Sequence, residues 1–191
     1  MNMAPLLVAL GLIGVPLIWF LGTYNGFIRI QNHLRESWSN VDTELQRRHD
    51  LIPNLVRTVQ GYASHEKEML EEVTRLRNDA FSAQGQIAER GQQESRLVQG
   101  MERLLMRVEA YPDLKADRHF LDLQRELVRT EDRIQHVRRI HNANVRDFNN
   151  RVEMFPSSVV AGMNGFELQP YFEIKRLEVR EVSSVAQSGP D

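Results

Sequence analysis

Residues 4–22 read APLLVALGLIGVPLIWFLG, nineteen positions without a charged side chain. At 1.5 Å of rise per residue such a helix covers about 28 Å, close to the hydrocarbon thickness of a bilayer. Eleven of the nineteen are Leu, Ile, Val or Phe. Each contributes roughly −0.3 to −0.6 kcal/mol near a membrane centre, so insertion is favoured by on the order of 3–7 kcal/mol, partly offset by Pro5, Pro16 and the glycines. The expected transmembrane helix runs from Ala4 through Leu12 and Pro16 to Gly22. Pro16 kinks such a span without preventing it, because a freed carbonyl can be satisfied locally. A cleaved leader fits poorly, since Met1-Asn2-Met3 carries no basic residue and Leu21-Gly22-Thr23-Tyr24 is a poor cleavage site. Residues 1–26 are therefore read as the anchor of a single-pass membrane protein, with Trp19, Tyr24 and Phe27 suited to the interfacial belt.

The remaining 165 or so residues suffice for one domain with its own core. The net charge of −2 excludes a bulk electrostatic case for nucleic acid. Cysteine is absent, which excludes disulfides, thiolate metal sites and a cysteine nucleophile.

Beyond the span, Leu34, Trp38, Val41 and Leu45 recur at spacings of 4, 3 and 4, the seam of a helix packed against others. Glu44 and Arg48 stand four apart, a favourable pair on an exposed face. Pro53 disfavours helical geometry at Ile52 and lacks an N–H, so this helix is expected to end near His49-Asp50. A second amphipathic helix of about 28 residues follows, from Asn54 to Phe81. Ser82–Gln93 (SAQGQIAERGQQ) reads as a loop. A third helix carries Leu97, Met101, Leu104, Leu105 and Val108 until Tyr111-Pro112-Asp113 stops it. The fourth spans Asp117 to Val152, its last turns expected to fray because Asn142, Asn144, Asn149 and Asn150 are weak helix formers. The pattern is that of an all-α chain, an antiparallel up-down-up-down four-helix bundle over 27–154, with a coiled coil as the structural alternative. Residues 155–182 read as an irregular apolar arm, including a short strand-like piece at Leu177, Val179 and Val182. Residues 183–191 read as a disordered tail.

With the anchor fixing one end, such a topology places His49–Asn54 and Tyr111–Lys115 at the pole far from lipid. The loop 82–93 and the arm fall at the membrane side. His49, Asp50, Asn54, Tyr111, Asp113 and Lys115 are thus candidates for docking a partner. Phe155, Phe166, Tyr171 and Phe172 are candidates for a membrane-proximal arm, against its own bundle, lipid or a neighbouring copy.

The chain lacks recognisable catalytic chemistry. None of the six histidines follows a glutamate by three, so the Glu-x-x-His pattern of di-iron bundles is missing. His65-Glu66 is followed by Met69 rather than His, which excludes a zinc helix. There is no glycine-rich phosphate loop and no G-x-S-x-G elbow. Arg47-Arg48, Arg138-Arg139, Glu71-Glu72 and Glu131-Asp132 read as solvated helix faces. No catalytic, cofactor or metal residue is expected.

The strings RRHDLIPNLV at 47–56, GYASHE at 61–66, EAYPDLKA at 109–116 and FPS at 155–157, with Gly165-Phe166 and Pro170-Tyr171-Phe172, resemble the bacterial LemA family over about residues 24–172. The chain departs from the usual pattern at His141 and Phe148, where tyrosine is common. The resemblance implies a membrane-anchored antiparallel helical bundle with the N-terminus outside and the bundle in the cytoplasm; it supplies no activity. Arg29 and Arg35 following the span point to the same orientation. The expectation is a non-enzymatic scaffold in the bacterial inner membrane. Its partners are the lipid bilayer, an unidentified protein and, through Gly11, Gly14 and Gly22, further copies of itself. The alternative is a lipid-interacting or membrane-shaping protein that uses the arm.

Overall fold

A computed structural model describes residues 4–83 and 85–174, with side chains from Gly11 onward. Its first element, α1, runs unbroken from Ala4 to Tyr62, 59 residues through both Pro16 and Pro53. From Leu12 to Leu21 every apolar side chain except Phe20 is exposed, Leu12 at 71% and Ile18 at 72%. This part is long and apolar enough to cross a membrane. At Phe27 the helix enters the folded body, and Leu34, Val41, Leu45, Ile52, Leu55 and Val59 are buried along one continuous seam.

The expected break before Pro53 does not occur. Proline removes the N–H that would bond the carbonyl of His49. Here the Arg77 side chain donates to that carbonyl at 3.2 Å from a neighbouring helix. The orphaned acceptor is satisfied in trans, so α1 continues to the turn at Ala63. The helix α2 is correspondingly shorter than expected, Lys67–Ser82, preceded by a single tight turn at Ser64–Glu66. It buries Leu70, Val73, Leu76 and Ala80, one residue every three or four.

The helix α3 spans Ile87–Val108, so most of the expected 82–93 loop is helical and only residues 83–86 connect. A five-residue helix, α4 (Pro112–Ala116), inserts Leu114 into the core, and α5 covers Arg118–Glu153. Asp117 starts α5 by accepting the Phe120 N–H at 2.8 Å. The asparagines near its end do not fray it. A short helix α6 (Ser157–Asn164) replaces part of the expected irregular arm. It ends at Gly165, whose φ of 69° lets the Phe166 N–H return to the Ala161 carbonyl at 3.1 Å. Residues 166–174 are irregular. The described residues are all-α, with six helices and no strand. The strand-like piece at 177–182 and the tail at 183–191 lie outside them.

Along α1 and α5 the paired numbers run in opposite senses. Phe27 meets Phe148, Ser37 meets His141, Arg48 meets Glu131 and Tyr62 meets Asp117. The α2–α3 pair does the same through Glu72–Arg103 and Glu66–Arg107. At 16 residues, α2 reaches only about 24 Å back along α1. Phe81 therefore meets the His49 ring edge-on, centroids 6.0 Å apart, and the end of α2 lies at mid-height rather than beside lipid. In the half far from the span, side chains of α1, α2, α3 and α5 share one apolar cluster. Nearer the span, α1 and α5 are joined by α6 and residues 166–174. The apolar core divides accordingly. One cluster runs from Ile52 to Val59 with α2, α3 and Leu127; one joins Val41, Leu45, Ile134 and Phe172; one joins Phe27, Leu34, Phe148 and Val160.

Candidate functional site

The buried polar layer at mid-height is the first feature that chemistry singles out. Arg48 follows Leu45 by three and precedes Ile52 by four, so the unbroken seam of α1 carries it into the core. It is fully buried, as is Glu94 on α3. Arg48 bonds Glu94 and donates to Glu131 at 2.7 Å, while His49 Nε2 lies 3.0 Å from Glu94. Burial pushes the Glu94 carboxyl upward, but the His49 contact and the Arg48 charge outweigh it and hold the group below the ordinary carboxylate range. Burial likewise opposes the Arg48 charge, yet Glu94 and Glu131 raise its pKa. Arg48 and Glu131 are thus a core ion network rather than a solvated face. The expected Glu44–Arg48 pair is not made; Glu44 meets Arg47 and Arg133 instead. The layer separates two apolar clusters about two turns into α3. The cost of desolvating two charges offsets most of their attraction, so such a layer adds little net stability, while removing one partner is strongly destabilising.

The second feature is the seat of the arm. Asn149 Nδ2 donates to the Gln169 carbonyl at 2.9 Å, and its Oδ1 accepts the Gln169 N–H at 2.8 Å. Asn142 treats Phe172 identically, both bonds at 3.0 Å. Seven helical residues advance about 10.5 Å and three extended residues about 10 Å, so the two amides match the two backbone positions. Phe172 is buried beneath Trp38, ring centroids 5.2 Å apart, and Phe166 stacks on Phe27 at 4.6 Å. Arg138 donates to the Ile174 carbonyl at 3.1 Å. Gly91 of α3 completes the seat, since a Cβ there would collide with the Glu173 carbonyl oxygen. Ser37 and His141 share a hydrogen bond of 3.1 Å beside Trp38, and burial pushes the imidazole down toward its neutral form.

The sequence-derived candidates separate. His49 is buried in mid-helix and belongs to the ionic layer, not to a pole. Asp50 is exposed one residue on, bonded to Gln46. Asn54 lines an open groove of about 760 Å³ between α1 and α5, with Arg57, His119 and Arg125. The continuity of α1 moves the turn from 49–54 to 63–66 and carries these three residues away from it. Tyr111, Asp113 and Lys115 lie at the end of the molecule opposite the span, joined there by Tyr62 and Glu66. Tyr111 donates to Glu66 at 2.8 Å and Tyr62 donates to Asp117 at 3.0 Å. The Arg107 and Tyr111 bonds hold the Glu66 carboxyl below its usual value. Of the arm residues, Phe166 and Phe172 pack on their own chain, Phe155 is 82% exposed and Tyr171 is exposed. Ala4 begins α1, and Pro16 and Gly22 lie within its exposed stretch.

Among the described residues no group of three or more His, Cys, Asp or Glu side chains is disposed to hold a metal. Sequence reading missed Arg48, Glu94, Asn142 and Asn149. Only Arg48 carried a signal, its place on the seam, and the supposed stop at Pro53 hid it.

Protein LemA of Metamycoplasma hominis is 26% identical over 149 residues, covering 78% of this chain and 68% of that protein. Magnetosome protein MamQ of Magnetospirillum gryphiswaldense is 24% identical, with 92% of this chain and 75% of that protein aligned. Magnetosome protein MamQ 2 of Paramagnetospirillum magneticum is also 24% identical, over 80% of this chain. The model of the LemA family matches residues 37–186, from the seam of α1 through the arm, and the chain belongs to that family.

Proposed function

We propose that this protein is a non-enzymatic, membrane-anchored scaffold, an antiparallel up-down-up-down bundle carried on a single span and offered to a protein partner. The observation that supports it is α1. One uninterrupted helix passes from apolar surface with no partner in the fold to the innermost strut of the folded body. About forty residues separate Gly22 from Tyr62, so the far end stands about 60 Å from the end of the span. The docking end consists of Tyr111, Asp113 and Lys115, together with Tyr62 and Glu66. In this reading the N-terminus lies outside and the bundle on the cytoplasmic side of a bacterial inner membrane. Copies associate through Gly11, Gly14 and Gly22, which meet nothing within the fold.

The test is alkaline carbonate extraction of native membranes, followed by photo-crosslinking from positions 113 and 115 and, as a control, from Asp50 at mid-height. Retention in the pellet and protein adducts at the far end only are expected. Carbonate release removes the anchor, and adducts that favour position 50 remove the docking end.

A lipid-interacting role has its own support. Met154, Phe155, Val159 and Met163 are exposed, the last at 71%, on and beside a helix that packs against Phe20, Tyr24 and Phe27 where the span ends. A fluorophore at Met163→Cys in the reconstituted chain is quenched by lipid-borne quenchers if this ring enters the interface. An unquenched label dismisses it.

A further inference from the structure

We propose that the base of the folded body selects anionic phospholipid, Arg29 and Arg151 taking headgroup phosphates beside the span. This rests on the membrane-anchored reading above and is independent of the docking end.

Depth is the first argument. Gly26 stands four residues beyond Gly22, about 6 Å along α1. The headgroup region adds about 5–7 Å to each side of the hydrocarbon, so Gly26 falls at the level of the lipid phosphates. Arg151, in the last turn of α5, lays its guanidinium on α1 at that level: a Cβ built on Gly26 would be 2.7 Å from Arg151 Nη1. Glycine leaves the space, and a side chain at 26 would push the guanidinium away. Arg29 follows Gly26 by three, on the same side of α1 and about 4.5 Å further out. Side chains lean toward the N-terminus of their helix, so Arg29 leans back toward the span.

Charge is the second. Both side chains are exposed, and among the described residues neither has a hydrogen-bond or ion-pair partner. The carboxylates of the base are engaged or turned away. Glu36 meets His33 at 3.7 Å and Asp147 meets Arg146 at 3.9 Å. Glu153, and Asn149 which seats the arm and with it Glu167, lie on the opposite side of α5 from Arg151, two residues being about 200°. A guanidinium presents a planar fork of N–H donors that matches phosphate oxygens. In a choline lipid the phosphate is neutralised by its own cation, whereas in phosphatidylglycerol it is not, so the preference is for the anionic headgroup.

Shape is the third. On the arm side, Val160 and Ala161 of α6 share a cluster with Phe20 and Tyr24 where the span ends. The helix α6, SSVVAGMN, carries no charged residue, and Val159 and Met163 are exposed. An apolar helix at the hydrocarbon edge and two unpaired cations at phosphate depth are the two halves of an interfacial footing.

The test uses full-length protein in nanodiscs of equimolar phosphatidylglycerol and phosphatidylcholine, with native mass spectrometry of the lipids that stay bound. Retained lipid is expected to favour phosphatidylglycerol about fivefold, the factor for one arginine at an anionic surface. Arg29→Gln with Arg151→Gln brings the ratio to parity, while Arg29→Lys with Arg151→Lys, keeping charge without the fork, retains part of it. The control, Arg125→Gln with Arg129→Gln, sits near the height of Arg48, about 40 Å beyond Gly22, and changes nothing. No preference in the unmodified chain, or one that survives the glutamine pair, overturns the proposal. So does retention of inorganic phosphate in place of lipid, which assigns the arginines to a soluble anion. Carbonate extraction separates the two readings. Selectivity lost from a glutamine variant still in the pellet supports the phosphate site, whereas release of the unmodified chain removes the anchor and this footing with it.

Discussion

Replacing Asn142 by alanine removes two hydrogen bonds to the backbone of Phe172, each 3.0 Å long. At about 1 kcal/mol net per bond, the seat of the arm weakens by about 2 kcal/mol. The helix itself does not suffer, because alanine is the better helix former by about half a kcal/mol. The loss is therefore local. Burial of the Phe172 ring, worth about 1.5–3 kcal/mol, keeps the arm docked most of the time. Hydrogen exchange with mass spectrometry on the full chain in lipid nanodiscs reads this directly. Peptides covering 166–174 should exchange about 30-fold faster, since 1.4 kcal/mol is a factor of ten. Peptides of α2 and α3 should not change. Asn142→Asp keeps the acceptor for the Phe172 N–H and should fall between the two. Unchanged exchange at 166–174, or an equal acceleration in α2, would refute the clamp.

Two further outcomes test the interior. Glu94→Gln should cost about 3–5 kcal/mol in urea unfolding because it strips a buried guanidinium of its innermost partner, whereas Arg48→Met with Glu94→Met should cost far less than the two singles summed; additivity would show that the network is not coupled. Stability should also fall on acidification in two stages. The lowered pKa of His141 means that the unfolded chain takes up its proton first, so its contribution is complete above about pH 6.5 and declines as the pH drops below that value; the lowered Glu94 carboxyl contributes above about pH 4.3 and is lost as the pH falls through its folded value. His141→Gln should flatten the melting-temperature profile between pH 7 and 5.5 while leaving the more acidic decline, and an unaltered upper slope would contradict the assignment.

The expectations that failed share a cause. Pro53 reads as a stop because its missing N–H leaves an orphan carbonyl on His49, and the group that satisfies it, Arg77, stands 28 residues away on α2. That one contact shifts the first turn by more than ten residues, draws Arg48 and His49 into the core and lifts the end of α2 away from lipid. The asparagines of α5 misled for a similar reason. Intrinsic propensity counts them against the helix, but Asn142 and Asn149 face backbone that returns from 20 to 30 residues later and exchange two bonds each with it.

What the sequence determined by itself are the quantities that sum along the chain: the apolar span, the all-helical class, the start of α5 at Asp117 and the apolar stripes of each helix. Hydropathy and the 3.6-residue period are local properties, and a window of a dozen residues contains them. Only the tertiary structure decided where α1 ends, which charges are buried and what holds the arm. Each of those depends on a hydrogen-bond donor or acceptor supplied by a distant segment, and whether a polar group is orphaned or satisfied is settled only when the helices have packed.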